Sequence, residues 1–183
     1  MRNTCRFTLS LVLGLAAAAR AVTVTEVNYH PRAADGETEF IELCHEGSVP
    51  LDMGGFAFTA GIRYVFPAGA VIAPGQYFVI ARDPARIREV YGVAAFGPYE
   101  GLLDNDGDRL TLCREGGGTV VSFRYDDGAP WPEQADGFGH TLSLRHHALD
   151  PAEASSWAPS PLIGGTPGKP NGFSSEAIDT DLV

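Results

Sequence analysis

The chain is 183 residues long, 44% hydrophobic and 20% charged, with a formal net charge of -10 at pH 7. That is one domain's worth of sequence, with enough apolar residues for a real core. The excess of acid repels phosphate backbones and anionic membranes, which disfavours nucleic-acid binding through a basic patch and leaves cations and neutral partners open.

Met1–Arg6 carries Arg2 and Arg6, Phe7–Ala19 is apolar, and Ala19-Arg20-Ala21 is a small-x-small cleavage site. Met1–Ala21 therefore reads as a secretory signal peptide. Its apolar run is too short for a comfortable membrane span, and no later segment is long and apolar enough to cross a bilayer. Cleavage leaves 162 residues (183 minus 21) and removes three arginines and no acid, so the charge moves from -10 to -13. The expected location is extracellular, or the periplasm or cell envelope.

Val22–Asn28 alternates apolar and polar residues and suits a first strand. Phe40–Cys44, Gly55–Phe58, Tyr64–Phe66 and Gln76–Ala81 follow as short strands between turns at Asp52–Gly55, Pro67–Gly69 and Pro74-Gly75. Asp83-Pro84 opens a helix over Pro84–Tyr91: Asp83 can cap it, Pro84 fits its first position and Gly92 can end it. Arg109–Arg114 and Val120–Tyr125 form a hairpin across Glu115–Gly118. Thr141–Arg145 is a last strand, and from Asp150 the chain reads as irregular. Short strands closed by Gly and Pro turns predict an all-β sandwich or barrel. The expected core draws on Val27, Ile41, Leu43, Phe56, Phe58, Phe66, Tyr77, Val79, Leu110, Leu112, Val121, Phe123, Leu142 and Leu144. The domain is expected over 22–171, with a flexible polar tail at 172–183.

Cys5 leaves with the signal peptide, so Cys44 and Cys113 remain as an even pair in an oxidising compartment. Strand alternation points Cys44 with Glu42, and Cys113 with Thr111, away from the core. If the two strands are neighbours, a cross-strand disulfide fits. Otherwise these are two unrelated, partly covered thiols.

The ordered set of segments TEVNYHP (25–31), EFIEL (39–43), LDMGGFAF (51–58), YVFPAGAVIAPGQYFVIA (64–81), LDNDGDRLTL (103–112) and YDDGAPWPEQADGFGHTLSL (125–144), with SSWAPS and GGTPGKPN towards the end, resembles the lamin-tail domain family in its secreted bacterial form. The resemblance covers Val24 to about Asn171. It implies an immunoglobulin-like antiparallel β-sandwich with one short helix. It also implies a non-catalytic module, of a kind often joined to nucleases, phosphoesterases or cell-surface domains, that serves binding or anchoring. The family carries no agreed catalytic residues to transfer. The nuclear-envelope role of relatives with a coiled-coil rod does not carry over, because no heptad rod is present.

Two constellations offer chemistry. Asp104, Asp106 and Asp108 alternate in one turn, as oxygen ligands for calcium do. Gly107 falls early for an EF-hand loop, however, and Leu110–Arg114 reads as strand, so an Asp-Gly turn with solvated acids is the simpler account. Asp126 and Asp127 precede Pro130-Trp131-Pro132, where stiffening prolines could present Trp131 to a sugar ring or peptide. The plainer alternative has Trp131 folding back over one open end of the sandwich, as Trp157 is expected to pack under the C-terminal strap. His30, His45, His140, His146 and His147 lack zinc-site spacing, and no nucleophile elbow, HExxH, Walker A or dinucleotide glycine motif occurs.

The expected function is a secreted, non-catalytic binding or adhesion module that holds an extracellular protein or glycan, with no cofactor unless calcium. Its rivals are a structural envelope subunit self-associating through an edge strand and a metal-assisted hydrolase built on the Asp104–Asp108 turn.

Overall fold

The computed structural model describes residues 22–173. The expected signal peptide Met1–Ala21, with Cys5, and the tail from 174 onward lie outside the described residues. Among the described residues no helix is long and apolar enough to cross a membrane.

Two five-stranded antiparallel sheets face each other. The first contains β1 (Val22–Asn28), β2 (Phe40–His45), β7 (Tyr77–Ala81), β11 (Leu142–Leu144) and β12 (Trp157–Pro159), in the order β12-β11-β1-β2-β7. The second contains β4 (Ala57–Ala60), β5 (Ile62–Val65), β8 (Glu100–Gly101), β9 (Arg109–Cys113) and β10 (Thr119–Arg124), in the order β10-β9-β4-β5-β8. A short ribbon pairs β3 (Leu51–Asp52) with β6 (Val71–Ile72). Helix α1 spans Pro84–Tyr91.

The core lies between the sheets. Val24, Val27, Ile41, Leu43, Phe78, Ile80, Leu142 and Leu144 meet Phe58, Leu110, Leu112, Val121 and Phe123. Phe66, Phe78 and Phe96 stack and cross at one end, while Phe123, Trp157 and Trp131 do so elsewhere. Burying such side chains contributes about 1.5–3 kcal/mol each. Of the residues expected in the core, Val79 is buried in a second apolar cluster on the outer face of the first sheet, and Tyr77 is half-buried outside both clusters. Period-2 alternation in β7 sends Phe78 and Ile80 inward, so Tyr77 and Val79 face the other way.

The two sheets differ in how they are covered. Every residue of β1 and β2 is buried, on both faces. Helix α1 lays Ile87 and Tyr91 on Phe40, Val79 and Ala81 of the outer face, and residues 160–171 cover the polar remainder. In the second sheet, β9 and β10 alternate buried and more open positions, the pattern of a sheet with one face in the core and one in water.

A β-bulge interrupts β1. Val24 pairs with Leu43 and Glu26 with Glu42, so Thr25 is the extra residue. Without it Glu26 would share the core face with Val22 and Val24, because side chains alternate strictly along a strand. The bulge turns Glu26 outward and brings Val27 opposite Ile41, inside.

Candidate functional site

The acidic turn is closed on itself. The Asp104 carboxylate accepts from the Asp106 N–H at 3.0 Å, and the Asp108 carboxylate from the Arg109 N–H at 2.6 Å. The Asp104 carbonyl accepts from the Tyr125 hydroxyl at 2.9 Å. Among the described residues no group of three or more His, Cys, Asp or Glu is arranged to hold a metal ion. Asp104, Asp106 and Asp108, expected as calcium ligands, line one open hollow without forming such a group, and two of them accept from backbone N–H groups, which is what short acidic residues do in turns.

The second expected constellation is divided. Trp131 is half-buried and packs against the core, its ring 6.2 Å from that of Trp157. Trp157 is 2% exposed, stacks on Phe123 at 5.3 Å and donates Nε1–H to the Pro151 carbonyl at 3.0 Å. The Asp126 carboxylate accepts from the Gly128 N–H at 3.3 Å, within its own loop, and Asp127 is half-buried beside it. The loop is tied to the end of β1 by Asp136, whose carboxylate lies 2.6 Å from His30 Nδ1. Trp131 thus packs over the core beside Trp157 and remains partly exposed.

Cys44 and Cys113 are both free. Cys44 sits on β2 between Thr23 and Tyr77, and Cys113 on β9 between Ala57 and Thr119. The strands belong to different sheets, so the condition for a cross-strand disulfide is not met. Both thiols do point away from the core, one to each outer face. Burial pushes the Cys44 thiol up to about 11. Cys113 is partly open and lies 3.6 Å from the Thr59 hydroxyl.

The uncovered outer face of the second sheet is graded. At one end Cys113 stands opposite Ala57, which pairs in turn with the exposed Val65. In the middle the Thr111 and Ser122 hydroxyls meet at 2.8 Å, with exposed Thr59 on the neighbouring strand. At the other end Arg109 pairs directly with Arg124, while exposed Arg63 on β5 lies nearer the middle, directly opposite Glu100 of β8. Arg63 and Arg109 make no ion pair among the described residues. Like charges directly opposite each other in a sheet are unfavourable, so the Arg109–Arg124 pair makes this end cationic on an otherwise acidic chain. Side-chain alternation in β9 and β10 carried the signal for this face, but which strands stand beside them was not in it.

Three buried glutamates also went unrecognised in the sequence. Glu39 accepts from the Tyr99 hydroxyl and, at 2.8 Å, from the Leu103 N–H, and burial raises its carboxyl above the usual range. Glu26 and Glu42 lie under residues 160–171 on the outer face of the first sheet, each wholly shielded. Nothing local marks them, since a Glu between apolar strand residues ordinarily reads as solvent-facing.

The Lamin Tail Domain family model matches residues 16–127, more than half of the chain. The structural unit continues past that match, because β11 and β12 complete the first sheet. No curated protein matches the chain.

Proposed function

The chain belongs to the lamin tail domain family, a family of non-catalytic immunoglobulin-like domains, and we propose that it works as a secreted binding module, holding a protein or glycan partner outside the cytoplasm. The observation that carries this reading is the unequal covering of the two sheets. The first sheet is sealed on both faces, whereas the second leaves a face of thiol, hydroxyl and arginine side chains open to a partner. A rigid sheet of this kind presents its side chains at low entropic cost.

The test immobilises the chain and captures partners from its own cell envelope and culture medium. A saturable partner, lost with Thr59→Glu and Ser122→Glu on the open face but retained with Leu162→Glu on the strap, supports the reading. Hydrolysis of a nucleic acid, ester or glycan by the pure chain, abolished by one point substitution, overturns it.

A second reading rests on β10. It pairs with β9 on one side only and stands at the edge of its sheet, and unpaired edge strands are templates for another chain. Concentration-dependent oligomers by light scattering, with no captured partner, favour a self-associating structural subunit.

A further inference from the structure

Glu26 on β1 and Glu42 on β2 are direct cross-strand partners, and both are 0% exposed. All of their hydrogen-bond donors are neutral. Glu26 accepts from the hydroxyls of Thr141 and Ser143 and from the Thr166 N–H at 3.1 Å. Glu42 accepts from the Thr25 hydroxyl at 2.7 Å and from the Gly168 N–H at 2.6 Å. Neither makes an ion pair among the described residues. Lys169, the only lysine of the chain, is exposed and reaches Glu42 through its backbone N–H. The other titratable groups facing the pair are Tyr91 of α1, Cys44 of β2 and Tyr77 of β7. None of these supplies a positive charge.

The strap depends on these two carboxyls. Its large apolar residues Leu162 and Ile163 point outward, 60% and 47% exposed. Its hold on the sheet is therefore mostly polar: Ser160 to Thr141 at 3.0 Å, Thr166 to Glu26, Gly168 to Glu42, and the Asn171 amide to the carbonyls of Thr25 and Leu144 at 2.7 and 3.0 Å. The two central bonds end on carboxyls that stand side by side without a cation.

We propose that residues 160–171 form a pH-operated latch over the outer face of the first sheet, closed while the Glu26–Glu42 pair is protonated and released as the pair ionises. Two like charges on neighbouring strands, shielded from water, repel each other, and lifting the strap restores water to both. Opening uncovers two carboxylates and the hydroxyls of Thr25, Thr141 and Ser143.

The direction of the pH response follows from the closed form's excess of bound protons. Burial pushes Glu26 up to about 7 from an ordinary 4.5, against the opposing hydrogen bonds of Thr141, Thr166 and Ser143. Burial, and after it the charge of Glu26, holds Glu42 well above the usual range. The preference for the closed form is thus complete below the ordinary carboxylate pKa; Glu26's share is lost as pH rises through about 7, and Glu42's as pH rises through its own raised range.

Hydrogen exchange at the Thr166 and Gly168 amides of the whole chain, corrected for intrinsic rate, reads the opening constant directly. It rises about tenfold per pH unit for each proton released. Glu42→Gln preserves both contacts, because its amide oxygen accepts from Gly168 and its NH2 group donates to the rotatable Thr25 hydroxyl. That variant loses about one factor of ten per pH unit, and the double variant with Glu26→Gln is flat. The latch is overturned if Glu42→Gln keeps the full pH dependence. It is equally overturned if the strap amides open no more readily than those of Leu112 and Val121 at any pH. Should the variants fail to fold, the unsubstituted chain at high salt decides, since salt screens surface charge but not a buried pair. Persistence of the pH dependence supports the latch, and its disappearance removes it.

Discussion

Gly165 shows how closely the strap approaches the sheet. Its φ is +79°, and a Cβ built there would meet Glu26 Oε1 at 2.1 Å. Gly165→Ala therefore combines backbone strain with displacement of a buried carboxyl, and should cost about 1–3 kcal/mol in denaturant unfolding. The cysteines give a second residue-scale prediction. Cys44 is 6% exposed with its thiol raised to about 11 by burial, whereas Cys113 stands on the open face. Thiolate is the reactive form, so of Cys44 and Cys113 a thiol reagent should modify Cys113 alone in the native chain. Cys44 should react only on unfolding, and peptide mapping distinguishes the two. Recovery of a Cys44–Cys113 disulfide would contradict this.

At the scale of elements, local signals and long-range partners separate cleanly. Helix α1 spans the predicted Pro84–Tyr91 because its limits are set by neighbours in sequence: the Asp83 carboxylate accepts from the Ala85 and Arg86 N–H groups, and Gly92 takes the left-handed conformation with its N–H on Arg88. Asp83→Ala should destabilise the chain by about 1 kcal/mol. For a domain of this size that is a fall of about 2–4 °C in Tm, readable by calorimetry. Strands β3, β6, β8 and β12 were not read in the sequence. Each has two or three residues, too few for periodicity to register, and each exists only because a distant segment pairs with it. The stretch from Asp150, expected to be irregular, contains β12, held in register by Leu144 opposite Trp157.

For the molecule as a whole, pH acts through several carboxyls in one direction. Glu26, Glu39 and Glu42 are all raised, in each case first by burial. A raised carboxyl contributes stability that is full below its unfolded pKa and is lost as pH rises through its folded pKa. The net charge of -10 adds self-repulsion that grows over the same range. Tm should therefore be higher near about pH 5 than near about pH 8, opposite to a protein whose carboxylates are paired with cations. Thermal unfolding across that range measures it, and a rise in Tm towards alkaline pH would contradict the assignment of uncompensated buried carboxyls.

The fold class was legible in the chain, because a sandwich is assembled from short alternating runs and Gly/Pro turns, and because ordered segments such as EFIEL and LDNDGDRLTL carry a family likeness. Alternation likewise told which faces of β2 and β9 the cysteines occupy. It could not tell that those strands lie in different sheets, since adjacency is a property of the closed structure. Nor could it place Glu26: strict alternation puts that residue on the core face, and only the bulge at Thr25 turns it towards Glu42. The strap that covers both glutamates lies more than 100 residues further along the chain. Local chemistry thus determined the strands, turns and helix, while the partnering of residues far apart in sequence decided which carboxyls are buried, which face is sealed and which is left open.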